Sequence, residues 1–460
     1  MATRKPVSAP RNTRLAVSGT VYISQIPQNR DVWRIAAPMI LSNITVPLLG
    51  MVDTGVTGHL DNAVYLGAVA IGSMIFGFLY SGVNFLRMGT TGITAQRFGA
   101  NDDDGLRVAL GQALVVSTVI AAVLILLQVP LNTLAMTLLG PEPEVARFAS
   151  EYFSIRIWSA PATLANYALI GWFIGLQNAR VPLYIVLAIN LTNIVLDLIF
   201  VLVLGMKVDG VAAASVIAEF TGVAIGISFA ISELRRRGGH MVVSHLTNLK
   251  EYAEFFSINA NLFIRTMALM FTFAFVTAAG ARMGGLILAA NAVLMNLLNL
   301  LSFALDGLAH AAEALVGRAA GAKDRQALQR SVQLTMRWSC YVAVGFSILF
   351  WLTGPIIIRL LTDIPEVLNT TMRYLPWMIV APVVALWGYL YDGIFVGATR
   401  AKEMRNSMLV STFLVFIPAW FAFRFLGNHG LWLAFMIFLG SRGIGMHYYY
   451  RYRVLPGFPD

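Results

Sequence analysis

Long apolar runs alternate along the chain with short polar stretches rich in glycine, proline, asparagine and aspartate, such as GANDDDG and LGPEPE. From Trp33 onward the runs are long enough to cross a ~30 Å hydrocarbon core, which takes about 20 apolar residues as a helix. The pattern predicts helices over 35–58, 64–96, 106–128, 146–176, 182–204, 210–233, 253–280, 286–317, 329–354, 366–398, 404–426 and 430–450, twelve in all. Several exceed the minimum span and are expected to tilt or project beyond the bilayer. Residues 1–32 are polar and basic. The apolar stretch at Leu15–Ile23 is broken by Ser and Gly and lacks the pattern of a cleaved leader, so the segment reads as a tail.

Composition narrows the class. Of the 460 residues 58% are apolar and 12% charged, with a mean hydropathy of +0.71. A soluble domain carries about 25% charged residues, so a soluble enzyme, a disordered chain and a coiled coil are excluded. A net charge of +10 would suggest nucleic acid in a soluble protein; here it reads as basic loops, and no nucleic-acid partner is expected. One set of loops and tails holds Arg4, Lys5, Arg11, Arg14, Arg30, Arg34, Arg97, Arg107, Arg180, Arg235, Arg236, Arg237 and Lys250. The same set continues with Arg318, Lys323, Arg325, Arg330, Arg400, Lys402, Arg405, Arg442, Arg451 and Arg453. The alternate loops hold only Lys207, Arg282, Arg359 and Arg424. This asymmetry predicts a multi-pass protein of the cell inner (plasma) membrane with both termini cytoplasmic, which needs an even number of spans. The single cysteine, Cys340, excludes an intrachain disulfide and reads as an inert thiol.

The second half echoes the first at an offset of 222 residues. Leu66–Ile71 precedes Leu288–Val293 by that distance, Ala95–Asp102 precedes Gly317–Asp324, and Phe173–Val181 precedes Phe395–Glu403. Each half then holds six helices. Because six is even, the halves are parallel repeats related by an axis along the membrane normal. The expected organisation is a cytoplasmic tail over 1–32, a six-helix lobe over 33–234, a basic linker over 235–251, a second lobe over 252–450 and a cytoplasmic tail over 451–460. Halves of this kind can rock about a central cleft.

Charged groups at membrane depth cost at least ~2.5–3.5 kcal/mol on insertion scales, so each needs a reason. In the first half Asp53 and Asp197 fall at similar depth, in the half of the bilayer away from the basic loops. Asn193 lies one turn from Asp197, and Tyr152 and Ser215 reach the same layer at ~1.5 Å per residue. Two close carboxylates cannot both ionise freely, and such a pair can carry a proton. Separate pairing, for instance with Arg156, is the plainer alternative. In the second half Arg265, Asp306, Glu313 and Asp392, with His310 nearby, read first as a structural network and second as a cation site. Arg87 has no partner that the sequence identifies. At the repeat offset, Asp53 and Asp197 face Phe275 and Ala419, so the scaffold repeats and the site does not. No P-loop, paired-histidine metal motif or serine–histidine set occurs, so no metal, no cofactor and no enzymatic activity are expected; DDD at Asp102–Asp104 reads as a solvated loop.

With these residues in view, the chain resembles the multidrug and toxic compound extrusion (MATE) family, in its DinF-like branch, over about residues 33–450. The segments that carry the likeness are APMILSNITVPLLGMVDTGVTGHLD, RMGTTGITAQRFGA, SAPATLANYALIGWFIGLQNAR, NIVLDLIFVLVLGMKVDGVAAASVIAE and DGIFVGATRAKEMRNSM. The resemblance implies an all-α membrane protein of twelve transmembrane helices in two pseudo-symmetric six-helix lobes. It implies export of cationic, amphipathic, drug-like compounds against inward proton or sodium flux, by a monomer whose other partner is membrane lipid. It places the proton-coupling role on Asp53 and Asp197, the supporting polar or substrate site on Tyr152, Asn193 and Ser215, and a bend in the first helix at Pro38. The sodium-coupled branch has an acid in its seventh helix, where this sequence offers Arg265; that departure favours H⁺ over Na⁺. A lipid-linked oligosaccharide flippase of the wider superfamily, a membrane enzyme and a passive channel are the competing readings.

Overall fold

A computed structural model describes residues 26–58, 62–240, 248 and 252–458. Thirteen helices follow in order, and no strand occurs among these residues. They are α1 (Asn29–Gly58), α2 (Ala63–Gly99), α3 (Asp103–Leu126), α4 (Gln128–Leu139), α5 (143–175), α6 (Arg180–Val203) and α7 (Val208–Arg237). The second half continues with α8 (Ala253–Arg282), α9 (Gly285–Gly321), α10 (Arg325–Leu361), α11 (Pro365–Gly397), α12 (Ala401–Leu426) and α13 (Asn428–Tyr449). Among the described residues nine of these, α2, α3 and α6 to α12, are long and apolar enough to cross a membrane; with α1, α5 and α13 beside them, and α4 set apart as a short helix, each half has six long helices.

The short α4 falls between the helices expected over 106–128 and 146–176 and was absent from the sequence pattern. Pro130 sits in the first turn, where a missing N–H is harmless, and Gly140 ends the helix at φ +57°. Val129, Leu134 and Leu138 are more than half exposed, so the helix presents an apolar face at the end of the bundle opposite the basic loops.

The repeat is written into backbone details as well as residues. Asn101 and Lys323 turn left-handed after the second span of each half, at φ 55° and 53°. Gln177 and Thr399 do so after the fourth, at 60° and 52°, and Gly205 and Gly427 after the fifth, at 68° and 59°. Each pair is separated by 222 residues. Asp102 and Asp324 cap the next helices, accepting from the backbone N–H of Gly105 and Ala327, both at 2.8 Å.

The halves meet where α2 crosses α9, at the basic end of the bundle. A Cβ on Gly99 would lie 2.0 Å from the carbonyl oxygen of Arg318, and one on Gly321 would lie 1.9 Å from that of Gln96. Gly99 and Gly321 are repeat mates, as are Gln96 and Arg318. The pseudo-two-fold axis therefore passes through this crossing. Side chains close it reciprocally. Gln96 Nε2 donates to Thr399 Oγ1 (2.9 Å) and the Gly397 carbonyl (3.1 Å), while Arg318 Nη1 donates to Gln177 Oε1 (3.2 Å). Without a hydrophobic driving force in lipid, such close backbone approach is what holds helices together. Helix α1 reaches the same interface higher up, where Gly307 of α9 admits Ile40 at 2.3 Å from a would-be Cβ.

Replacing Gly99 or Gly321 by alanine puts a Cβ into a backbone oxygen, at a cost of about 1–3 kcal/mol typical of overpacking. Both variants are expected to lower the thermal midpoint of the purified protein, and by similar amounts because the contacts are mates. Gly345→Ala, into open space, serves as the control and should be neutral or mildly stabilising. Equal midpoints for all three would refute the seam.

Candidate functional site

In the first half α2, α5, α6 and α7 enclose a cavity of about 510 Å³, with Gly50 of α1 on its rim. That volume suits a drug-sized ligand. Phe76, Tyr80, Tyr152 and Tyr167 supply aromatic walls, and Arg156, Asn193, Ser215 and Glu219 supply polar and charged groups. Gly72 lets the Tyr152 ring lie flat on α2, since a Cβ there would sit 2.3 Å from Cδ1. Phe76 stacks on Phe153 (5.1 Å between centroids) and meets Tyr152 edge-on (6.3 Å). Such walls favour cations, because aromatic faces carry negative charge; the Arg156 guanidinium already lies 5.9 Å over Phe76.

Tyr152, Asn193 and Ser215, expected in one layer, line this one cavity. Asn193 Nδ2 donates to Ser215 Oγ at 3.0 Å, joining α6 to α7. Asp197 is fully buried one turn beyond Asn193 but does not line the cavity. Directly after it, α6 widens into a π-helical turn over Leu198–Val203, where Leu204 N–H donates to Ile199, five residues back, at 2.9 Å. Such turns concentrate at functional sites because they re-aim neighbouring side chains. Asp53 belongs to α1, three residues after Gly50, and its side chain lies outside the described residues. Pro38 and Pro47 both lie inside α1. Neither can donate to the carbonyl four residues earlier, so the helix has two weak points.

Glu219 escaped the sequence reading. It lies one turn from Ser215 on the same helix and lines the cavity. Asn166 Nδ2 donates to its Oε2 (2.8 Å) and to its own carbonyl (3.0 Å). The signal was present: an acid four residues after Ser215 shares its face of the helix. Tyr80 adds a hydroxyl held by Ser159 at 2.8 Å.

In the second half Asp392 Oδ2 is held by Arg442 Nη2 at 2.7 Å and by Arg265 Nη2. Arg442 corrects the loop assignment: it is 3% exposed within α13, not a loop cation. Arg87 also has partners. Its Nη1 lies 3.2 Å from His310 Nδ1 and 3.4 Å from Glu313 Oε2, so α2 of one half is ionically tied to α9 of the other. Asp306 sits one turn before His310, within electrostatic reach of Arg87 and Arg265. Three carboxylates (Asp306, Glu313, Asp392) thus share a network with three guanidiniums (Arg87, Arg265, Arg442). The set carries no excess negative charge among these six groups, and Asp392 and Glu313 are each paired with a guanidinium.

Comparison with known proteins follows the same division into halves. The family model MatE matches residues 38–199 and again residues 262–421. The chain is 43% identical over 420 residues to DNA damage-inducible protein F of Escherichia coli (strain K12), covering 91% of each. It is 23% identical over 421 residues to human multidrug and toxin extrusion protein 1, covering 88% of this chain and 71% of that one. Its fold superposes with a TM-score of 0.85 on a structure described as the outward-facing conformation of a multidrug resistance MATE family transporter of the MOP superfamily. That match has 18% identity and covers 93% of this chain and 97% of the other.

Removing Arg87 would leave Glu313 buried with only His310 beside it. Arg87→Gln is expected to destabilise by about 3–5 kcal/mol, as for other broken buried pairs. The double variant Arg87→Met/Glu313→Leu should recover most of that loss. Additive losses in a double-mutant cycle read by thermal unfolding would rule out the pair.

Proposed function

Because the chain belongs to the MATE family, matched by its model in both halves, we propose that it exports cationic amphipathic compounds by proton-coupled antiport and alternating access. The observation that carries this reading is the chemistry of the first-half cavity, where a carboxylate, a guanidinium and aromatic walls meet in a space that suits a drug-sized ligand. In the second half Asp306, Glu313 and Asp392 share a network with Arg87, Arg265 and Arg442. In the first half Glu219 opens onto an aromatic cavity of about 510 Å³, and Asp197 lies a turn from one of its polar walls. Drug and proton then meet in one lobe. A proton arriving from the side away from the basic loops neutralises the carboxylates, weakens the hold on a cationic drug and lets it leave outward. Rocking of the halves then parts the α2–α9 crossing and opens the basic end, where the proton is released. Coupling requires that drug affinity differ between the two protonation states. On this reading the basic end is cytoplasmic, both termini lie there, and the protein works as a monomer in the inner membrane.

Dye efflux in sodium-free everted vesicles with an imposed pH gradient tests the coupling ion: efflux is expected. Silence there, with efflux starting only on a sodium gradient, would replace H⁺ by Na⁺. Resistance to ethidium-like dyes in expressing cells separates drug export from lipid-linked oligosaccharide flipping.

Asp53→Asn keeps the side-chain shape but cannot exchange a proton, and should abolish nearly all efflux at normal expression. Asp197→Asn and Glu219→Gln should each reduce it, Glu219→Gln chiefly by weakening cation binding. Wild-type rates in Asp53→Asn would remove the coupling role. Pro38→Ala should slow turnover with little change in apparent affinity, since it restores a helical hydrogen bond fifteen residues from Asp53. Equal loss of rate and affinity would place Pro38 in the binding site instead.

A further inference from the structure

The repeat that builds the two halves reverses charge at the end opposite the basic loops. There α8 and α12 flank a cavity of about 530 Å³ walled by Phe275, Trp420 and Phe425, with Arg282 and Arg424 and no carboxylate. Phe275 is the repeat mate of Asp53, and Arg282 and Arg424 are the mates of Leu60 and Leu202. The first half puts an acid at this level; the second puts aromatic rings and two guanidiniums.

Basic residues are disfavoured in these loops, which hold only four. Lys207 has a local explanation, since its Nζ donates to Tyr65 at 2.7 Å and lies 4.8 Å over the ring. Arg282 and Arg424 make no ion pair and no side-chain hydrogen bond among the described residues; Arg424 only lies over Phe421 at 5.9 Å. Two cations on one cavity repel each other, and an anion between them relieves that repulsion. Guanidinium forks match phosphate geometry. The surroundings specify the rest of the ligand. Phe421, Phe425 and Leu426 are 57%, 77% and 45% exposed on the bilayer-spanning α12, so the anion must arrive with an apolar body. Phe275 is braced edge-on by Phe416 at 5.4 Å and Trp420 at 6.4 Å, which gives an acyl chain a fixed wall.

We propose that this cavity seats one anionic phospholipid from the leaflet opposite the basic loops. Its phosphate lies between Arg282 and Arg424, and its acyl chain lies against Phe275, Trp420 and Phe425. The seat is distinct from the first-half cavity and needs no transport to be observed.

The test is titration of the purified full chain in detergent with phosphatidylglycerol, phosphatidylcholine or inorganic phosphate, read by native mass spectrometry and thermal midpoint. Phosphatidylglycerol is expected to remain bound at one copy per chain and to raise the midpoint, while phosphatidylcholine and inorganic phosphate do neither. Arg282→Gln/Arg424→Gln, at exposed positions that leave the core intact, should weaken phosphatidylglycerol binding about tenfold, or ~1.4 kcal/mol. Trp420→Ala should weaken it as well, through the acyl wall. Equal retention of phosphatidylglycerol by the wild type and the double arginine variant would overturn the proposal. So would a midpoint shift by inorganic phosphate without one by phosphatidylglycerol, which would make the site one for a free anion.

Discussion

A charge held away from water must find its compensation within a few ångströms, and this constraint organises the molecule. Twelve spans could be assembled from apolar residues alone. Instead the chain carries three guanidiniums and three carboxylates across the interior of the second half and its contact with the first. Matched in this way, they fix the packing of α8, α11 and α13 through Asp392, and of α2 on α9 through Glu313. A buried pair of this kind adds little net stability over an apolar one but makes the wrong arrangement expensive. The first half leaves its acids in a different setting, near or on a cavity large enough for a ligand.

The seam at the α2–α9 crossing depends on the opposite device, the removal of side chains. Gly99 and Gly321 let two backbones touch, and the reciprocal bonds of Gln96 and Arg318 close over them. Only a near-symmetric crossing allows mates to contact mates. Because the seam lies at the basic end, opening that end has to part both sets of mated contacts alike. The Arg87–Glu313 pair lies deeper on the same two helices, so opening the basic end would have to break it.

Much of this was legible in the sequence. The apolar runs located the twelve long helices, nine of which, among the described residues, are long and apolar enough by themselves to cross a membrane. The 222-residue echo marked the loop positions where the paired left-handed turns fall, since Asn101, Gln177 and their mates stand at the same places in each half. Tyr152, Asn193 and Ser215 were placed by depth alone and do share a cavity. What escaped were relationships between helices. Arg87 finds Glu313 across 226 residues, and nothing in either local pattern points to the other. Arg442 lay near the chain's basic end and was taken for a loop cation, whereas packing against Asp392 draws it inside. Glu219 lies inside the helix expected over 210–233 and was passed over, although its spacing from Ser215 was sufficient to find it.

Duplication supplies two equal scaffolds, but coupling of an ion to a drug needs only one titrating site, and a second would add a proton to each cycle without a second drug to couple it to. On the proposed reading, the second half had to lose its acids or neutralise them. It does both: Phe275 and Ala419 stand at the positions of Asp53 and Asp197, and Asp392 is clamped between two arginines. The exchange at Phe275 also changes what the outer rim can hold, from a group that attracts cations to one flanked by guanidiniums. On the proposed reading, a rim of that sign repels a departing cationic drug from the second lobe and so favours its release. Divergence between the halves is therefore part of how a symmetric frame acquires a direction, rather than drift within a tolerant scaffold.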